Sequence, residues 1–441
     1  MRSATLLGAL IFTATAFVQS SVGAQTLKSH QQLARDIHKE LVEINTVTAT
    51  GDTLKAAQAM ADRLKAAGFA DNDVHVLSPA PRKGNLVARL RGTGARKPIL
   101  LLAHIDVVAA AASDWSAEPF KLLEKDGYLY GRGVWDSKFM AAVFVANLIR
   151  YEQEGFRPER DLIDAEFALN EGGGVGLLNG KPLANSVQTS EKVSLSYQLE
   201  VKNPGGHSSL PSKDNAIYRL ADGLARLARF DFPVQLNETT RAYFQRAAAL
   251  VDAQVGADMR SLVSAQPDPA AITRLSSTIR YNALLRTTCV TTMLSAGHAV
   301  NALPQTARAS VNCRILPGEP VEEVQKTLVR VLADDQISVT PTGTPVLSAP
   351  SPLNPEIMRA VERLTAEFWP GIPVIPTMLA AATDGSFLRN ASIPTYGHSG
   401  LANDVVDVRI HGRDERIPVQ SFLDGHEYLY RLVKALSSSS N

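Results

Sequence analysis

Pro98-Ile99-Leu100-Leu101-Leu102-Ala103-His104-Ile105-Asp106 is the stretch that decides the fold. Ile99–Ala103 is an unbroken apolar run, the pattern of a strand covered on both faces rather than one with a wet side. Polarity appears only at its C-terminal end. Residues i and i+2 of a strand share a face, so His104 and Asp106 are expected to point together into the crevice where open α/β sheets bind ligands. An imidazole beside a carboxylate is how a metal-binding His and its orienting group are built. It is equally how a buried His is satisfied.

The same alternation of strand and helix extends outward from this run. Leu33, Ile37, Leu41 and Ile44 repeat at helical spacing, as do Leu54, Ala57, Met60, Leu64 and Ala67 up to Gly68. Strands are expected at Asp73–Leu77, Asn85–Leu90, Pro98–His104 and Leu162–Leu169, and a helix at Lys138–Arg150. Near residue 190 the character changes. Val193, Leu195, Tyr197, Leu199 and Val201 alternate with polar residues, as in an antiparallel strand with one wet face. Helices at Asn215–Leu227 and Val321–Leu332, a polar Ala-rich helical stretch at 240–275, and strands near 286–294 and 306–316 complete this block. From about Leu347 the first pattern returns, with helices at Pro355–Phe368 and from Val419. The expected architecture is therefore α/β. A mixed-sheet domain of 25–188 and 346–441, with helices on both faces, is interrupted by an α+β domain of 189–345.

Composition excludes several classes. Lys+Arg is 45 against Asp+Glu 44, a net charge of +1, so nothing points to a nucleic-acid partner. Hydrophobic residues at 45% and charged residues at 20% exclude a mainly disordered chain. Arg2, the apolar run Ala4–Val18 and the small residues Val22-Gly23-Ala24 read as a secretory signal peptide over 1–24. The run falls short of the ~20 residues that span a bilayer, and no later segment is apolar enough. A secreted or periplasmic location is expected. Cys289 and Cys313 lie equidistant from Asn301, the midpoint of the two strands flanking it. In an antiparallel hairpin they would face each other within disulfide reach. Whether they are joined stays open at this point.

Four further motifs carry polar groups that chemistry needs. Gly131-Arg132-Gly133-Val134-Trp135-Asp136-Ser137-Lys138 places Asp136 just before a helix, where a carboxylate also serves as a plain N-cap. Asn170-Glu171-Gly172-Gly173-Gly174 places Glu171 at the expected end of a strand, followed by a flexible turn. Gly205-Gly206-His207-Ser208-Ser209 lies in the inserted block, and Ile410-His411-Gly412-Arg413-Asp414-Glu415-Arg416 precedes the last helix. There is no Gly-x-Ser-x-Gly elbow, which excludes the serine α/β hydrolases.

Taken together, in this order, the five motifs resemble the zinc-dependent aminoacylase and carboxypeptidase family. That group includes aminoacylase, carboxypeptidase G, and the acetylornithine and succinyl-diaminopimelate deacylases. Asp114-Trp115, Gly127-Tyr128-Leu129-Tyr130-Gly131, Asn301-Ala302-Leu303-Pro304 and Asn312-Cys313-Arg314-Ile315-Leu316-Pro317-Gly318 are most similar to its carboxypeptidase S branch. The resemblance implies a catalytic domain plus a ferredoxin-like lid and dimerisation domain. It implies two zinc ions, with His104 on one, His411 on the other, Asp136 bridging them and Glu171 as a further ligand. Asp106 would orient His104. His207 would reach the substrate carbonyl, in family dimers across the subunit interface, and Asn301 and Arg314 would hold the substrate. The substrate would be a short peptide or an N-acyl amino acid. One departure stands out. The family carries an Asp-Glu-Glu segment that supplies a general base and a zinc ligand, and this chain has none near the site. From Asp136 to Glu171 there are 35 residues, one strand–helix step too few. By context Glu171 matches the family's later ligand; by distance it falls where the second Glu of that segment would. Poor amide hydrolysis, with one or two zinc ions held, is the expectation, and the alternative reading is a degenerate member that binds metal weakly and is catalytically impaired.

Overall fold

The computed structural model describes residues 26–162 and 165–438, and the export segment expected at 1–24 lies outside the described residues. The apolar run around Ile99 forms a strand of a five-stranded mixed sheet. Its order is Val374–Leu379, Lys181–Glu191, Thr395–Asp404, Phe167–Leu178, Ile99–Leu101. The last three run parallel, as do the first two. The helix Lys138–Gln153 is apolar on nearly every face, with Phe139 to Ile149 buried almost without exception, because it packs under the helices Ser29–Glu43 and Val419–Ser437.

Two local expectations are corrected. The strand stops at Leu101, so His104 and Asp106 sit on the following loop and are not aligned by strand alternation. Glu171 does not end a strand. Leu162 makes only an isolated bridge to Leu90, and the strand proper is Phe167–Leu178, with Glu171 inside it. The glycines bend this strand without ending it. Gly172 has φ +128°, and a Cβ there would collide with Gln188 Oε1. The turn comes at Asn179-Gly180, both at positive φ (53° and 73°), the two-residue hairpin geometry in which Asn-Gly is favoured. That dipeptide was the available signal for the Phe167–Leu178/Lys181–Glu191 hairpin.

At Lys192 the chain leaves the first sheet for a second. The four-stranded antiparallel sheet runs Thr288–Ala296, Thr306–Ile315, Val193–Lys202, Ile337–Thr342, with the helices Ala216–Leu227 and Val321–Leu332 packed against it. Strand, helix, two strands, helix and strand in that order is the ferredoxin-like arrangement. The alternating residues Val193 to Val201 are buried in its core with Val311, Cys313 and Leu328. Cys289 pairs with Cys313 in the ladder and the two are joined as a disulfide. Four short helices between Glu238 and Leu285 pack elsewhere: Phe244, Met259 and Leu262 share a core with Ile375 and Met378 of the five-stranded sheet. Among the described residues no helix is long and apolar enough to cross a membrane.

Candidate metal centre

Glu415 builds the site from beneath. It is buried, and its carboxylate accepts backbone N–H bonds from Gly133 (3.2 Å), Trp135 (3.0 Å) and Asp136 (3.1 Å), and a bond from Arg132 Nη1 (2.7 Å). Burial pushes its carboxyl above the usual range, and those four donors work against the shift. Arg132 also donates to the carbonyl of Gly412 at 2.8 Å, so one ion pair ties the Gly131–Asp136 loop to the His411 loop. The residues are 283 apart in sequence. Glu415 belongs to the quoted late motif, yet nothing local marks it as the loop's anchor.

Held this way, Asp136 does not cap the next helix; Ser137 occupies the N-cap position. Its carboxylate lies between two imidazoles. Oδ1 is 3.0 Å from His104 Nε2, and Oδ2 is 2.8 Å from His411 Nε2. Glu171 Oε2 lies 3.5 Å from His104 Nε2. Asp106 Oδ1 is 3.3 Å from His104 Nδ1 on the other side of the ring. Burial opposes charge on His104, but hydrogen bonds to Asp106, Asp136 and Glu171 outweigh it and hold the imidazole well above its ordinary pKa. Burial likewise disfavours ionised Asp136, and His104 together with His411 brings it below the usual carboxylate range.

This donor set fits a metal. One ligand atom each from His104, Asp136 and Glu171 lies within 4.8 Å of the others, as ligands at ~2.0–2.2 Å around a shared ion require. The second location, between Asp136 and His411, has two protein donors. Nitrogen and oxygen donors of this kind suit zinc. Asp106 sits where an orienting carboxylate belongs, on the ring nitrogen that faces away from the cluster.

The cleft around the cluster has a volume of about 710 Å³ and is also lined by Lys192, Thr383, Asp384 and Phe387. Two of its features were not anticipated. Glu191 and Arg389 form a buried pair at 2.7 Å, and Glu191 also accepts from the Thr383 N–H at 2.7 Å, fixing the loop that carries Asp384. Asp384 itself is exposed, and among the described residues its carboxylate has no hydrogen-bond or ionic partner. The residues assigned to the substrate lie apart. His207 pairs with Ala302 in a short ladder beside Asn301, whose carbonyl accepts from the Ser208 N–H. Arg314 lies on the strand Thr306–Ile315, and none of the three lines the cleft.

A mixed α/β sheet with a histidine–carboxylate cluster at its edge, joined to a ferredoxin-like domain, defines a two-domain metallohydrolase. Residues 100–435 match Peptidase family M20/M25/M40, and the chain belongs to that family of amide-hydrolysing enzymes. It is 30% identical over 359 residues to the N-fatty-acyl-amino acid synthase/hydrolase PM20D1 of Xenopus tropicalis, covering 73% of this chain and 69% of that one. It is 28% identical over 378 residues to the probable carboxypeptidase S-like 2 of Dictyostelium discoideum, covering 77% and 71%. The M20 family metallo-carboxypeptidase Sso-CP2 of Sulfolobus solfataricus has the same fold, with a TM-score of 0.67 at 16% identity over 91% of this chain and 98% of that one.

Proposed function

We propose that this chain is an exported, zinc-dependent hydrolase that cleaves the amide of an N-acyl amino acid or of a short peptide with a free C-terminus. The observation that carries the reading is Asp136 held between His104 at 3.0 Å and His411 at 2.8 Å. The relatives named for N-fatty-acyl amino acids and for carboxypeptidase S support the substrate class. Bound zinc would supply Lewis-acid polarisation of the scissile carbonyl and lower the pKa of a nearby water. His104, Asp136 and Glu171 would hold one ion, and Asp136 with His411 would hold a second more weakly. Asp106 keeps His104 in the tautomer that presents Nε2 to the cluster. His207, Asn301 and Arg314 would act on substrate from the second domain, in a homodimer. The edge strand Thr288–Ala296 favours such pairing, since Val290, Met293 and Leu294 are exposed on it.

A general base is the weak point of this site. Of the carboxylates lining the cleft, Asp106, Asp136 and Glu171 are engaged with His104, and Glu415 is consumed by four donors. Asp384 is the carboxylate left to take a proton from water, and it sits on a loop just before a short helix, outside the set of three donors that converge on one ion. This supports the second reading, a member that folds and binds metal but turns over slowly. Zinc content by elemental analysis, run beside hydrolysis of N-acyl amino acids, tests both. One tightly held ion with slow hydrolysis is expected. Absence of zinc at micromolar concentration would overturn the metal reading, and a rate above about 1 s⁻¹ would overturn the impaired one.

A further inference from the structure

A second cavity, about 640 Å³, opens from the metal cleft and shares His104, Asp106 and Asp384 with it. It is a slot between two strands. Among the described residues the strand Lys83–Ala88 pairs only with the strand Val74–Ala80, and Ile99–Leu101 only with the strand Phe167–Leu178, so each turns an edge to the slot. Ala57, Met60 and Leu64 of one helix and Ala141, Phe144 and Leu148 of another line it. At the far end Asp161–Leu162 already lies between the two strands. Leu162 N–H donates to the Leu90 carbonyl at 3.0 Å, and Ile99 N–H donates to the Asp161 carbonyl at 3.0 Å. For two residues the gap therefore has strand width and strand hydrogen bonding. The lining continues along Leu100–Asp106, for which no pairing beyond Leu101 with a strand on this side is found among the described residues.

We infer that this slot binds an extended apolar peptide of about six residues as an added strand, with its C-terminal end at the metal cleft. The claim rests on the amide-hydrolysis reading above and narrows it: the acyl side of the substrate is a peptide in β conformation. Direction follows from Asp161–Leu162, which bridges antiparallel to Leu90 and so runs toward His104. A peptide taking the same course brings its last residues to the cluster. The chemistry follows from the walls. Leu102 N–H bonds to the Leu169 carbonyl, so the N–H and C=O of Leu101, the last residue of the strand, turn the other way, into the slot. A peptide backbone satisfies those groups, as in strand addition to a sheet edge. A bare alkyl chain fills the same apolar volume and leaves them unpaired, which is costly.

The test is equilibrium binding to the full chain, read by fluorescence anisotropy and independent of turnover. The probe is a labelled, acetylated six-residue Val/Leu peptide. A copy N-methylated at alternate amides and an N-palmitoyl amino acid are the competitors. The peptide is expected to bind and the N-methylated copy to bind at least about tenfold more weakly. Ala141→Phe and Ala57→Phe, which fill the slot from two different helices, should each weaken binding while leaving zinc content unchanged. Equal binding by the N-methylated copy, displacement by the palmitoyl compound at lower concentration, or no binding at all would overturn the inference. Hydrolysis of N-acetyl amino acids without peptide binding would overturn it and leave the proposed function standing. A peptide bound but never cleaved supports the slot and counts against the activity.

Discussion

Removing Glu415 tests how a single side chain shapes the centre. Arg132 is only 2% exposed, so Glu415→Gln leaves a buried guanidinium without its counter-charge. Breaking a buried pair in this way costs about 3–5 kcal/mol. Urea unfolding should show that loss, and zinc should be held less tightly because the N–H groups that fix Asp136 have lost their carboxylate. Glu171→Gln separates the two ion locations. Glu171 lies by His104 and belongs to the three-donor location, so its loss should weaken the tight ion by about 10–100-fold in competition with a chelator. If affinity is unchanged, Glu171 is not a ligand. Sequence showed which residue types were gathered here, since His104, Asp136, Glu171 and His411 do converge. It could not show the supports. The Glu415 and Glu191 bonds join segments hundreds of residues apart, and no local pattern encodes them.

Elements were legible where packing has one period. The helices Val321–Leu332 and Pro355–Phe368 and the start of the last helix at Val419 carry clean 3.6-residue stripes and fall where the spacing puts them. The strand Phe167–Leu178 was misplaced because glycines read as a stop, whereas in a sheet they also mark close backbone approach. The stretch expected to be helical at 240–275 is helical, but the helix Ile279–Leu285 was not expected, and the apolar faces of these helices do not say which sheet they cover. The hairpin joining Thr288–Ala296 to Thr306–Ile315 was set by arithmetic about Asn301, and Cys289 meets Cys313 despite a bulge between Thr291 and Met293. That bond closes a loop with a sequence separation of 24. Cys289→Ala with Cys313→Ala should cost about 3 kcal/mol of stability in denaturant titration. Zinc content should not change, because the hairpin lies in the second sheet. Loss of zinc with the disulfide would mean the two sheets fold as one unit.

At the scale of the molecule, acid should loosen the chain before its carboxylates titrate. Three histidines are buried where the main domain closes on itself. His38 faces the Val134 carbonyl at 3.1 Å and stacks on Phe422; His398 lies between the Ser186 carbonyl and the Tyr428 hydroxyl; His426 is fully buried beside His30 and Arg150. Burial pushes the pKa of His38 and His426 down to about 3 and that of His398 to about 4. Arg35 and Lys138 add to the effect at His38, and His30 and Arg150 at His426. Folded pKa values below the unfolded 6.5 mean that the unfolded chain binds more protons between about pH 6.5 and 4, so stability is present above 6.5 and falls with pH. Each group contributes on the order of 2 kcal/mol by pH 5. Acid would also protonate the ligands of an ion held at the proposed site and release it, which would destabilise by a separate route. The two are distinguished by following unfolding from pH 7.5 to 4.5 with and without a chelator. A fall that persists in the metal-free protein, and that His426→Phe reduces, is the expected result. A metal-free protein whose stability is flat across that window would show that these histidines are not held neutral by the fold.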